Sequence, residues 1–191
     1  GLAASWAWAG AASGHFKVEG DKPGEITPVH AAAFETRDPY DPRRRLVEIV
    51  LSGAPIDVEA ALATLHPHIH VINQPALRDH DYVLMWLKPD GRLDANATFR
   101  EGMVQYLARS GPGLRVTLDI NSASHVAGQV QSTAPINTLS GDRYGFDLRF
   151  DTDIARPAPG TPLRKGGEAP GKALLGLLAS ARALRWPAIK A

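Results

Sequence analysis

Two stretches of strict alternation constrain this chain most. Leu114, Val116, Leu118 and Ile120 alternate with Arg115, Thr117 and Asp119. Tyr144, Phe146, Leu148 and Phe150 alternate with Gly145, Asp147, Arg149 and Asp151. A period of two puts the apolar set on one face of an extended strand and the polar set in water. Two such strands predict an antiparallel sheet with one wet face and one packed face. The four residues Tyr144, Phe146, Leu148 and Phe150 are therefore expected in the core. Arg115, Asp119, Asp147, Arg149 and Asp151 are expected on the wet side.

The rest of the chain extends this pattern. Gly14 to Glu19 reads as a strand with Phe16 and Val18 on one face, and the turn Gly20-Asp21-Lys22-Pro23-Gly24 leads into a second strand from Ile26 to Thr36. Leu46 to Leu51 is a nearly continuous apolar run, which suits a strand covered on both faces. Asp57 can cap a short helix through Leu65, because its carboxylate accepts free amide hydrogens of the first turn. Pro67 is expected to stop that helix, with His68 to Asn73 extended beyond it. Tyr82–Leu87 and Leu93–Phe99 flank a Pro/Gly turn and read as a hairpin. Glu101 to Ala108 reads as one or two helical turns, and Val126 to Gln131 as a further strand. About eight strands with turn chemistry between them predict an all-β fold, an antiparallel β-sandwich or partly closed barrel.

This domain is expected to span residues 13–155. Residues 1–12 are small, apolar and uncharged, and read as an N-terminal arm or the remnant of a signal peptide. Residues 156–171 have the Pro/Gly content of a linker. Residues 172–191 predict an amphipathic helix whose stripe is Leu174, Leu177, Leu178, Ala181 and Leu184. That stripe needs cover, and an oligomer formed through it is one way to provide it.

Composition narrows the function classes. A net charge of +1 creates no long-range field, so nucleic acid is not an expected partner. No apolar stretch reaches the length of a membrane span. The absence of cysteine removes disulfides, thiolate metal sites and cysteine nucleophiles. The apolar N-terminal segment points to export, and the expected location is periplasmic or secreted.

Few constellations carry chemistry. Gly166-Gly167-Glu168-Ala169-Pro170-Gly171-Lys172-Ala173 fits G-x-x-x-x-G-K, but Ala173 replaces the hydroxyl residue that would hold Mg²⁺ and no buried strand leads in. Nucleotide binding is not expected from it. His66, His68 and His70 are the candidate metal ligands. In an extended chain these imidazoles share one side at steps of about 6.5–7 Å, a spacing that suits Zn or Cu. His80, Asp79 or Asp81 would supply a third ligand if the loop folds back. Asp147, Asp151 and Asp153 share a polar strand face, but Arg149 sits among them. Salt links to Arg115 or Arg143 are the expected use of these carboxylates. Ser122, Ser124 and His125 are near in sequence without forming a nucleophile motif. Asn96-Ala97-Thr98 is a formal glycosylation sequon.

The segments GHFKVEG, VHAAAFETRDP, VEIVLSGAPID, HVAGQVQST and YGFDLRFDTDIA together resemble the strand pattern of exported bacterial β-rich domains of unknown function. The tail from Gly166 to Ala191 is similar to the opening helix of a module of the nuclear-transport-factor-2-like kind. Neither resemblance carries functional residues across. The reading that follows is a non-enzymatic, exported bacterial interaction or accessory module for a protein or small ligand. Two alternatives stand beside it: a metal-binding protein using His66, His68 and His70, and a carrier of a small apolar ligand.

Overall fold

The structure is a computed structural model that describes residues 10–38, 41, 43–64, 66–100, 104–109 and 111–157. The expected linker beyond Pro157, the helix at 172–191 and the Gly166–Ala173 segment lie outside these residues. So do Trp6 and Trp8 of the expected arm.

Among the described residues, eleven strands and three short helices follow in the order β1 (Gly10–Glu19), β2 (Gly24–Ile26), β3 (His30–Arg37), β4 (Arg45–Ser52), α1 (Val58–Leu62), α2 (Pro67–Ile72), α3 (Pro75–Arg78), β5 (Tyr82–Leu87), β6 (Leu93–Phe99), β7 (Val104–Ala108), β8 (Leu114–Asn121), β9 (His125–Ser132), β10 (Ile136–Asn137) and β11 (Arg143–Ala155). All strands belong to one sheet, ordered β7-β6-β5-β4-β3-β1-β11-β9-β8, with β2 beside β1 and β10 beside β11. Pairing is antiparallel throughout, except for a short parallel contact of β11 with β3 at Ile154–Ala33 and Ala155–Phe34. The sheet curls into a half-barrel. The sandwich expectation is corrected accordingly: the layers are the two sides of one curled sheet, not two stacked sheets.

Alternation decides which side each residue takes. Phe16, Val18, Ile49, Leu51, Val83, Met85, Tyr144, Phe146, Leu148 and Phe150 pack together on the concave side. The expected strand core is thus found, with Leu148 fully buried. Phe16 stacks on Phe146 at 5.1 Å and on Tyr144 at 5.4 Å, while Phe99 and Tyr106 tilt in from the far end of the curl. Burial of such rings drives the curl, since each removes a large apolar area from water. Gly14 permits the close approach of β1 to β11: its φ is +100°, and a Cβ there would sit 2.0 Å from the Asp147 carbonyl oxygen.

On the convex side, α1 to α3 cover β3 to β5. Val58, Ala61, Leu62, Val71 and Leu77 bury Ala32, Phe34, Val50, Tyr82 and Leu84. This explains why β4 and β5 read as continuous apolar runs: they are covered on both faces. Asp57 caps α1 as expected, its carboxylate accepting from the Ala60 amide at 2.9 Å.

Four local expectations are corrected. Residues 68–72 are helical, because Pro67 opens α2 at its first position, where a missing N–H costs nothing. Residues 104–108 form strand β7, with Tyr106 and Ala108 buried and Gln105 and Leu107 exposed. The expected strand 26–36 divides into β2 and β3. In β8 the register shifts between Leu118 and Ile120. That bulge turns Ile120 opposite Ala127, onto the outer face, where it is 44% exposed.

Candidate functional site

β1 and β11 run side by side with their polar residues outward. The register places Glu19 opposite Arg143, Lys17 opposite Gly145 and His15 opposite Asp147. Gly145 is the gap in this row. Glycine inside a strand leaves a hollow where something else can approach the backbone. The loop after β9 forms the other wall, with Thr133, Ala134 and Pro135. Together they enclose an open groove of about 420 Å³ lined also by Lys17, Arg143 and Asp147.

The groove carries both signs of charge. Glu19 accepts from Lys17 at 3.3 Å and from Arg143 at 3.2 Å, so the two cationic heads converge on one carboxylate. Asp147 accepts from the Gln129 amide at 2.6 Å. All three members of the Glu19 cluster are more than half exposed, so water weakens these pairs and a ligand can compete for them. The Cα atoms of Arg143 and Asp147 lie four residues apart along one strand, about 13 Å at strand rise. The sequence offered one clue to this groove: Gly145 interrupts an otherwise charged polar row. The contribution of His15, Lys17 and Glu19 had no local clue.

Two histidines hold carboxylates elsewhere. His125 begins β9 and faces Asp153 across the sheet. Its Nδ1 lies 2.6 Å from the Asp153 carboxylate and its Nε2 lies 2.9 Å from that of Asp151. Hydrogen bonding to Asp153, then to Asp151, holds the imidazole above its usual pKa against partial loss of water. Arg143 binds Glu19, so the expected pairing of Asp151 and Asp153 with Arg143 or Arg115 is corrected to His125. Ser122 Oγ accepts from the amides of Ser124 and His125, which makes that segment a turn.

The second is His68, on the first turn of α2. Its Nδ1 lies 2.8 Å and 3.0 Å from the two carboxylate oxygens of Glu48. Glu48 lies mid-sheet on β4 and is 1% exposed.

The structure does not bring His66, His68 and His70 together. The strand geometry expected for them gives way to a helix, in which residues two apart point to opposite sides at 100° per residue. His68 turns to Glu48, while His66 and His70 are exposed. Asp79 binds Arg78, and Asp81 accepts from the Arg100 amide at 2.7 Å. Among the described residues, no group of three or more His, Asp or Glu is placed to hold a metal ion. Asn96 sits in the middle of β6 with its Oδ1 buried, an unsuitable place for a glycan.

The fold and these sites define an all-β half-barrel with a charged groove beside β1 and β11. No family model, curated protein or solved structure matches the chain. Among the described residues, no helix is long and apolar enough to cross a membrane.

Proposed function

We propose that this domain is a non-enzymatic binding module, an exported bacterial interaction or accessory domain, that takes a short polar ligand in the Gly145 groove. One observation carries the reading: a glycine-floored hollow lies between the exposed Lys17–Glu19–Arg143 cluster at one end and the Asp147 carboxylate at the other. Lys17 and Arg143 suit an anionic group, and Asp147 suits a cationic one. A peptide of about four residues with free termini has the matching length at strand rise. The carrier alternative needs an enclosed apolar space, and the concave side is filled by the Phe16 ring cluster. Export rests on the apolar first residues.

The test is an amide NMR titration with an equimolar library of tetrapeptides bearing free termini. Shifts should cluster at Lys17, Thr133, Ala134 and Gly145. Gly145→Val fills the hollow from a position with no left-handed backbone, its Cβ meeting Ser132 Oγ at 3.3 Å, and should weaken binding by about tenfold or more. Shifts scattered over the surface, or unchanged in Gly145→Val, would overturn the proposal.

A further inference from the structure

A carboxylate buried in the middle of a sheet is costly unless something neutralises it. Glu48 is such a group, on β4 between Phe34 of β3 and Trp86 of β5. Both neighbours are aromatic and neither offers a charge. Among the described residues its hydrogen-bond donor is His68 Nδ1, which reaches both oxygens. His68 in turn is 36% exposed at its side chain, so it can exchange a proton with water.

We infer that Glu48 and His68 form a proton-controlled clasp that fastens the first turn of α2 to the sheet and releases it as pH rises. With the imidazole protonated, the buried pair is neutral overall and both oxygens receive a charged donor. Loss of that proton leaves a net negative charge under α2. Water must then reach it, and the helix start is what stands in the way.

Among the described residues, the charged groups around this proton are engaged elsewhere or exposed; Arg100, over the Tyr82 ring, donates to the Leu77 carbonyl at 2.9 Å. Asp94 lies opposite Trp86, one strand further from Glu48, and accepts from Lys88 at 2.7 Å. Glu35, held by Arg45 and Arg156, alternates to the concave side. On α1, Glu59 is exposed; so are His66, which precedes α2, and His70 on it. Arg78 and Asp79 bind one another. Asp153, the charged residue of β11 near this layer, is taken by His125.

The far end of the segment is tied independently. Gln74 accepts from the Asp57 amide at 2.9 Å and donates to the Asp57 carbonyl at 2.8 Å. Val71 and Leu77 are fully buried. Release is therefore confined to the residues before Val71, which pivot on a fixed end.

The sign follows from linkage. Hydrogen bonding to Glu48 raises the His68 pKa above its ordinary 6.5, against the opposing effect of burial. A raised folded-state pKa gives stabilisation that is complete below 6.5 and lost as pH rises through the higher, folded value.

Amide hydrogen exchange, corrected for intrinsic rate, tests this between about pH 5.5 and about pH 8.5. Protection of the His70 amide, which donates to the His66 carbonyl at 3.1 Å, should fall about tenfold or more as pH rises, with the strand amides unchanged. Glu48→Gln keeps the shape and removes the charge, so its α2 protection should not depend on pH. Should that variant fail to fold, ¹⁵N NMR of the His68 ring in the native chain serves instead: the loss of protection must track the ring's own titration. Constant protection, the same pH dependence in Glu48→Gln, or a loss shared by the whole sheet would overturn the inference.

Discussion

Phe16 is the residue on which the interior of the half-barrel turns. Its ring is fully buried and meets four others from β6, β7 and β11. Phe16→Ala would leave a cavity that those rings cannot collapse into without leaving their own partners. A loss of about 3–5 kcal/mol is expected, read as a lower midpoint in urea unfolding. Its inward direction was legible in the sequence from its alternation with Lys17. Its partners were not, since Phe99 and Tyr106 come from the opposite end of the sheet. The same limit applied to charge. The sequence shows Glu48 as a polar break in an apolar run and His68 as part of a histidine triplet. Only their meeting makes one the counter-ion of the other.

Among the elements, the short helices are where local reading succeeded and failed most instructively. α1 was legible because a cap is a local signal: Asp57 and the amide it satisfies are three residues apart. Asp57→Ala should cost about 1 kcal/mol, measured by chemical denaturation, and more if the backbone tie to Gln74 loosens with it. α2 is not legible locally, because His-Ile-His-Val-Ile fits a strand or a helix equally over so short a run. Burial of Val71 against the sheet, with Pro67 at the first helical position, settles it as a helix. β8 shows the converse. Its alternation is perfect in sequence, yet the bulge turns Ile120 to the outer face. A bulge is a property of pairing with β9, so the strand alone could not reveal it.

At the scale of the whole molecule, the curl is fastened by two tyrosines. Tyr144 of β11 donates to the Leu107 carbonyl at 2.8 Å, and Tyr106 of β7 to the Asp142 carboxylate at 3.2 Å. Loss of water around both phenols raises their pKa above the ordinary 10.0, so both remain donors at neutral pH. Tyr144→Phe should cost about 1 kcal/mol and speed amide exchange in β7 while leaving β3 to β5 protected. Sequence by itself determined the all-β character, the inward and outward faces away from the β8 bulge, the turns and the α1 cap. Each depends on residues within a few positions of one another, where periodicity and backbone chemistry act. Tertiary structure alone decided the half-barrel, the Gly145 groove and the Glu48–His68 clasp. The Arg143–Glu19 contact spans 124 residues, and the Glu48–His68 contact spans 20. Such meetings arise from strand order and curl, which burial of the whole aromatic cluster selects and no local pattern records.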